Sequence, residues 1–242
     1  PAAKDKLLEM YNKRDPRMMA SIIMPYTTYK GWYSNAPMDT EYVITEKSGQ
    51  TNEKNGFIRV NGNYEMYLWR KFVAEYDMNG AINNREDTPI NFPLIRYADV
   101  LLMYAECLIE TGGDKQLAAD LINQVRYRAF VTTSLTDSYA KYRKFNLKES
   151  DRVTEDTFNA KYKVKASDDL RAAVRHERRI ELAGEGLRFY DLIRWGTFVS
   201  TMQKFGKTDE GKYSGAGTLV TDKTYPYPIP QSEIDYVGGA LT

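Results

Sequence analysis

The sequence contains one cysteine and one histidine, and this scarcity excludes several kinds of functional site. Cys107 has no partner for an intrachain disulfide, and because it lies in an apolar helical run we expect it to be buried and inert. His176 has no second imidazole for a two-histidine metal site, and a catalytic triad would have to be built around this one ring. We therefore predict that His176 is an exposed helical residue without a catalytic role.

An excess of one charge and long hydrophobic runs are also lacking. The 34 Lys and Arg residues nearly balance the 33 Asp and Glu residues, and the net charge of +1 gives no general attraction to nucleic acid. The longest apolar runs, such as residues 100–103, are far shorter than the roughly 20 residues that cross a bilayer. The chain also begins at Pro1 without a signal-peptide pattern, and we interpret it as a fragment or a processed chain.

Apolar residues are abundant enough to bury a sizeable core, at 42% of the 242 residues. Residues 14–90 are punctuated by glycine and predict a loop-rich segment with short strands near 41–45, 57–60 and 66–72. Residues 91–242 predict a helical scaffold that ends in a proline-rich tail, with residues 225–234 held extended as a strap.

Helical periodicity begins after Pro93. The predicted apolar face of the first helix consists of Leu94, Ile95, Ala98, Leu101, Leu102, Ala105, Leu108 and Ile109. This helix stops at Gly112, and Asp114 is placed to cap a second helix that runs to about Phe130. The two predict an antiparallel hairpin, in which alanines permit the close approach typical of tetratricopeptide hairpins.

The rest of the scaffold is predicted to contain two more helices. Residues 132–165 have weak periodicity and predict a long connection with some helix. Ser167 is expected to cap a strong helix that ends near Gly184. A shorter helix over residues 187–195 is expected to end at Gly196.

Four segments of the sequence together resemble one protein family, the SusD/RagB family. They are FPLIRYADVLLMYAE at 92–106, INQVRYRA at 122–129, RHERRIELAGEGLRFYDLIRW at 175–195 and YPIPQSEI at 227–234. The sequence Asp15-Pro16-Arg17 is similar to a further element of the family. Cys107 departs from the pattern, because a small residue is usual at this position. The resemblance spans residues 15–234 and identifies the chain as the C-terminal part of a single SusD-like domain, residues 1–242.

The resemblance carries expectations about fold and function. It implies a mainly α-helical fold, with a tetratricopeptide-like hairpin scaffold that supports a loop-rich face and a few short β-strands. It implies capture of an oligosaccharide or polysaccharide without catalysis and without a cofactor. It also implies a lipoprotein tethered to the outer face of the outer membrane through an N-terminal lipid anchor absent from this chain. The expected partner is a SusC-like, TonB-dependent β-barrel transporter that receives the ligand.

Charged residues cluster in the third of these segments, and their spacing indicates a structural role. Glu177 and Glu181 are one helical turn apart among arginines of the same helix, which predicts alternating ion pairs. A catalytic carboxylate would instead need a raised pKa. The full set is Arg175, Glu177, Arg178, Glu181, Glu185, Arg188, Asp191 and Arg194.

Aromatic residues in the loop-rich segment are the candidates for ligand binding. Sugars present apolar C–H faces that stack on aromatic rings, while their hydroxyl groups bond polar side chains. Trp32 leads because it lies next to Gly31 in a segment without a helical or strand period; the alternative, that its indole pins its own loop, stays open. The predicted ligand-binding residues are Trp32, Tyr29, Tyr33, Tyr64 and Asn35. Trp69 and Trp195 lie beside apolar neighbours in regular elements, and we expect both in the core.

Two other classes of function remain open from the sequence. A glycoside hydrolase would need two carboxylates about 5–10 Å apart across a cleft, and no isolated pair can be nominated. A helical-repeat adaptor that binds peptides would have more repeated hairpins and no aromatic loop face.

Overall fold

The computed structural model describes most of the helical part of the chain and parts of the loop-rich segment. The described ranges are residues 2–33, 36–44, 56–59, 68–72, 90–132, 153–208 and 220–221, with the backbone alone described at 2–4, 12, 28–33, 36–44, 56–59, 68 and 132. They fall in two compact units, residues 1–184 and 185–242. That the chain is part of a single domain stays a prediction, and the expected strap at 225–234 lies outside the described residues.

Helices dominate the described residues of both units, as the sequence predicts. The first unit contains α1 (Ala2–Asn12), α2 (Arg17–Ser21), α3 (Tyr97–Glu110), α4 (Lys115–Tyr127), a π-helical segment (Arg128–Thr132), α5 (Glu155–Lys161) and α6 (Leu170–Glu181). The second unit contains α7 (Arg188–Arg194) and α8 (Phe198–Gly206). Within the described ranges, no helix has the length and apolar character needed to traverse a bilayer.

The core of the first unit lies between α3, α4 and α6. Asp114 caps α4 as predicted, because its carboxylate accepts hydrogen bonds from the backbone N–H groups of Gln116 and Leu117 at 2.8 and 3.1 Å. Small residues let the helices approach closely, and they and their larger neighbours are fully buried. The completely buried members of this cluster are Leu102, Ala105, Ala118, Ala119, Ile122 and Val174.

Three predictions about these helices are wrong in detail. Leu94 and Ile95 are exposed because α3 begins only at Tyr97, so neither residue is on its buried face. Cys107 is exposed because α3 packs along one side only, and Cys107 lies on the other side. The cap of α6 is Asp169, whose carboxylate accepts from the N–H of Ala172, and not Ser167.

Short strands occupy the loop-rich segment. They are β1 (Ile22–Ile23), β2 (Thr28–Tyr33), β3 (Ala36–Ile44), β4 (Gly56–Arg59) and β5 (Leu68–Trp69). β1 pairs with β5, β2 pairs with β3 in antiparallel register, and β4 lies parallel to β3. The last three strands overlap the predicted ones. β2 was not predicted, because Gly31 and the adjacent aromatics break the alternation that marks a strand in sequence.

Trp69 is not in the core: 52% of its surface is exposed, and its indole lies over the backbone of Gly184. A Cβ placed on Gly184 would lie 3.0 Å from Cζ3 of Trp69. β5 belongs to a sheet of two strands with β1, and about half of the Trp69 side chain stays uncovered there. Trp195 is only partly buried, with the guanidinium groups of Arg188 and Arg194 at 5.5 and 5.0 Å from its ring centroid.

Gly184→Ala is expected to destabilise the first unit. Gly184 has φ +80°, and an L side chain in this region costs about 1–2 kcal/mol; displacement of the indole adds to that cost. Gly112→Ala is the matched control, since Gly112 has φ +69° with no atom within 4 Å of the added Cβ. Urea unfolding should give a larger loss for Gly184→Ala, and equal losses would contradict the packing role of Trp69.

Candidate functional site

Two buried glutamates lie at the centre of the first unit. The buried stripe of α6 begins with Leu170 and Val174 and continues one and two turns later with Glu177 and Glu181. Helical periodicity therefore carries these carboxylates to the same side as the apolar residues. Glu177 is completely buried and Glu181 is 4% exposed. Burial of two carboxylates requires that their charges be compensated nearby.

Glu177 is compensated by two arginines from distant parts of the chain. Nη1 of Arg17 lies 2.5 Å from Oε1 of Glu177, and Nε and Nη2 of Arg126 lie 2.9 and 2.8 Å from Oε2. Asp15 holds Arg17 in position by accepting from Nε and Nη2 at 2.9 and 2.7 Å. Asp15 thus holds the guanidinium group of Arg17, at the start of α2, in the orientation that contacts α6.

Glu181 is bound by three arginines. Its carboxylate accepts from Arg128 at 2.6 Å, from Arg96 at 3.0 Å and from Arg17 at 3.1 Å. The backbone carbonyl of Glu181 lies at the end of α6, where the helix itself supplies no donor. It accepts hydrogen bonds from Nη2 of Arg96 at 3.1 Å and from Nζ of Lys71 at 3.0 Å. The last turn of α6 is therefore bound by side chains from four separate segments.

The surroundings of Glu181 and of Arg17 favour the ionised form of each of these two groups. Burial has the largest effect on Glu181 and raises its pKa, but the charge and hydrogen bond of Arg128, with Arg17 and Arg96, outweigh it and lower the pKa below its usual value. Burial also lowers the pKa of Arg17, yet Asp15 and Glu177 outweigh it and raise the pKa above the ordinary value. A carboxylate held ionised in this way is poorly suited to act as a general acid.

The ion pairing predicted for Glu177 and Glu181 is confirmed, but the predicted partners are wrong. Neither glutamate relies on arginines of its own helix, because those side chains point in other directions: Arg178 binds Asp99 at 2.7 Å and Arg179 is exposed. Sequence reasoning missed the actual partners, Arg17, Arg96, Arg126 and Arg128. A signal for them was present, since all four lie in the segments that carry the family resemblance.

Three of the five predicted ligand-binding residues lie on one strand. Tyr29, Trp32 and Tyr33 belong to β2, where they pair in register with Thr40, Pro37 and Ala36 of β3. Tyr64 and Asn35 lie outside the described residues. Because successive residues of a strand alternate between faces, Tyr29 and Tyr33 belong to one face of the β2–β3 hairpin and Trp32 to the other. The assignment of these residues to a ligand site stays a prediction.

His176 is exposed on α6, as predicted. Among the described residues, no group of three or more histidine, cysteine, aspartate or glutamate side chains is placed to hold a metal ion.

Comparison with known proteins identifies the family. The family model described as "SusD family" matches residues 2–241. SusD-like protein P25 of Formosa agariphila is 34% identical over 175 residues, which cover 72% of this chain and 26% of that protein. SusD-like protein P38 of the same organism is 28% identical over 182 residues, covering 73% of this chain and 31% of that protein. The chain thus spans less than a third of the length of these curated relatives. With a match over nearly its whole length, the chain belongs to the SusD family.

Proposed function

We propose that this chain is part of a non-catalytic protein that captures a glycan at the bacterial cell surface. The observation that carries the proposal is the membership of the SusD family. The proposal places the whole protein on the outer face of the outer membrane as a lipoprotein. There it passes an oligosaccharide to a SusC-like, TonB-dependent β-barrel transporter.

The ion pairs around Glu177 and Glu181 favour a binding protein over a glycoside hydrolase. A glycoside hydrolase needs one carboxyl group with a raised pKa to protonate the leaving oxygen. Glu181 has a lowered pKa, and Glu177 is completely buried between Arg17 and Arg126. Glu177 therefore joins α2 and α4 to α6, and Glu181 joins α2 and the π-helical segment to α6. Release of reducing sugar from a polysaccharide, lost in Glu177→Gln without unfolding, would contradict this proposal.

The β2–β3 hairpin is the proposed recognition surface, and its two faces allow a sharp test. Trp32→Ala removes the ring from one face, while the double variant Tyr29→Ala/Tyr33→Ala removes the rings from the other. Loss of a stacking ring is expected to weaken glycan binding about threefold to tenfold. Isothermal titration calorimetry on a panel of neutral and acidic oligosaccharides measures the change, and the face whose loss weakens binding is assigned to the ligand.

Tyr190→Ala is the matched control, because Tyr190 is a 66% exposed aromatic residue of α7, distant in sequence from the hairpin. The Tyr190→Ala variant should bind each oligosaccharide with the affinity of the unmodified chain. Unchanged affinity in both hairpin variants for every oligosaccharide that binds would remove the hairpin from the site.

Delivery to a transporter is tested separately with the whole lipoprotein. It should co-purify with its SusC-like barrel from solubilised outer membranes. Elution of the two proteins apart would contradict this part of the proposal and leave glycan capture standing.

A further inference from the structure

A cavity of about 620 Å³ opens at the surface of the first unit, where the segment between α1 and α2 meets α4, α5 and α6. Its volume lies within the roughly 300–1,000 Å³ typical of small-molecule sites. Its lining is strongly basic, and among the described residues that form it Asp15 is the one carboxylate. The cationic lining residues are Lys13, Arg14, Arg17, Arg126, Lys161 and Arg179.

Part of this positive charge is already neutralised. Arg17 and Arg126 are paired with the buried carboxylates of the charged cluster, and Lys13 is 2.6 Å from Glu9. The side chains of Arg14, Lys161 and Arg179 form no ion pair with any carboxylate that the structure describes. All three are exposed, so their charges are available to a ligand.

The three cations come from separate parts of a chain whose net charge is only +1. Arg14 follows α1, Lys161 ends α5 and Arg179 lies in the last turn of α6, so three separate parts of the chain contribute one positive charge each to one cavity. Like charges repel one another, and an anion bound between these groups would relieve that repulsion. The lining therefore selects for a negatively charged ligand.

The same cavity has an aromatic wall. The rings of Phe130 and Tyr162 stack with their centroids 4.4 Å apart and their planes inclined by 23°, and both residues line the cavity. Arg126 fixes this wall by donating from Nη1 to the backbone carbonyl of Tyr162 at 2.9 Å. Flat rings beside guanidinium and ammonium groups combine two kinds of recognition: apolar stacking for a sugar face and charge-assisted hydrogen bonds for an acidic substituent.

We propose that this cavity binds an acidic saccharide unit, a sugar ring that bears a sulfate or carboxylate group. The acidic group lies among Arg14, Lys161 and Arg179, and the C–H face of the ring lies toward Phe130 and Tyr162. The inference rests on the proposed glycan-binding function and adds to it a preference for charge.

The test compares acidic and neutral sugars on the 242-residue chain by isothermal titration calorimetry. The probes are a sulfated heparin disaccharide, a trisaccharide of galacturonic acid, neutral maltotriose and inorganic sulfate. Lys161→Gln and Arg179→Gln each remove one exposed charge without breaking a described ion pair, so both variants should fold. Each variant is expected to weaken binding of an acidic probe about tenfold, and the double variant is expected to weaken it about a hundredfold. Binding of maltotriose should change little in any of them.

Lys165→Gln is the matched control, because it removes an exposed lysine that is four residues from Lys161 in sequence and does not line the cavity. It should bind as the unmodified chain does. Phe130→Leu keeps an apolar side chain but removes the flat ring, and it should weaken the acidic sugars while leaving binding of inorganic sulfate unchanged.

The outcomes separate this inference from the proposed function. Affinity for acidic sugars that falls in Lys161→Gln and Arg179→Gln, but not in Lys165→Gln, supports the inference. Equal affinity for acidic and neutral sugars, or unchanged affinity for acidic sugars in the Lys161→Gln and Arg179→Gln variants, overturns the inference and leaves the proposed glycan capture standing. Sulfate that binds as tightly as the sugars overturns the saccharide part, and failure of every sugar to bind overturns both proposals.

Discussion

Replacing Glu177 with glutamine is expected to lower the free energy of unfolding by about 3 kcal/mol, a large part of the roughly 5–15 kcal/mol that stabilises a typical domain. The substitution preserves the shape of the side chain but removes its charge. Among the carboxylates that the structure describes, Arg126 then has no partner, and Arg17 keeps Asp15 and Glu181, in a site where residue 177 is completely buried. Urea unfolding followed by circular dichroism measures the loss.

Glu110→Gln is the matched control for this experiment. Glu110 makes two hydrogen bonds of 2.7 Å to Arg171, but these side chains are 41% and 55% exposed. Water replaces much of what an exposed pair contributes, so the change in unfolding free energy should be close to experimental error. A Glu177→Gln chain as stable as the Glu110→Gln chain would show that the buried cluster does not hold the fold together.

Acidification is expected to destabilise the first unit through Glu181. The arginines around this carboxylate lower its pKa from the ordinary 4.5, so the unfolded chain takes up a proton before the folded chain does. The stabilisation from Glu181 is therefore complete above about pH 4.5 and is lost as the pH falls through the lower, folded-state pKa. In that window one such group changes the unfolding free energy by up to about 1.4 kcal/mol for each pH unit.

A comparison of slopes isolates the contribution of this residue. Glu181→Gln is less stable than the unmodified chain at neutral pH, but its unfolding free energy should depend less steeply on pH below about 4.5, because the titrating group is gone. Urea unfolding at several pH values gives both curves. Parallel curves would contradict the assignment of acid sensitivity to Glu181.

The helical scaffold was largely predictable because its signals are local. The periodicity between Ala98 and Ile109 predicted α3, and Asp114 predicted the start of α4. Each of these features depends on residues within a few positions of one another. Where local signals competed, the prediction failed: Ser167 and Asp169 are both good caps, and the structure uses Asp169.

The candidate site was less predictable because its contacts are long-range. Arg17 and Glu177 are 160 positions apart in the chain, and no spacing rule joins them. The position of the Trp69 indole depends on the pairing of β5 with β1 and on the backbone of Gly184. The separation of Trp32 from Tyr29 and Tyr33 follows from a strand that forms through pairing with β3 and that the sequence does not mark.

The basic cavity is a further example of this difference. Arg14, Lys161 and Arg179 are unremarkable in sequence, where each stands among residues of both charges. Only when α1, α5 and α6 are assembled do their charges surround one space.

The sequence by itself determined the main helices of the scaffold, the cap of α4 and the family to which the chain belongs, because periodicity, capping and motif order depend on neighbouring residues. The tertiary structure alone decided which arginine neutralises which glutamate, which tryptophan is exposed and where positive charge collects. Those properties depend on distances of a few ångströms between residues that are remote in the chain, and such distances exist only once the helices have packed.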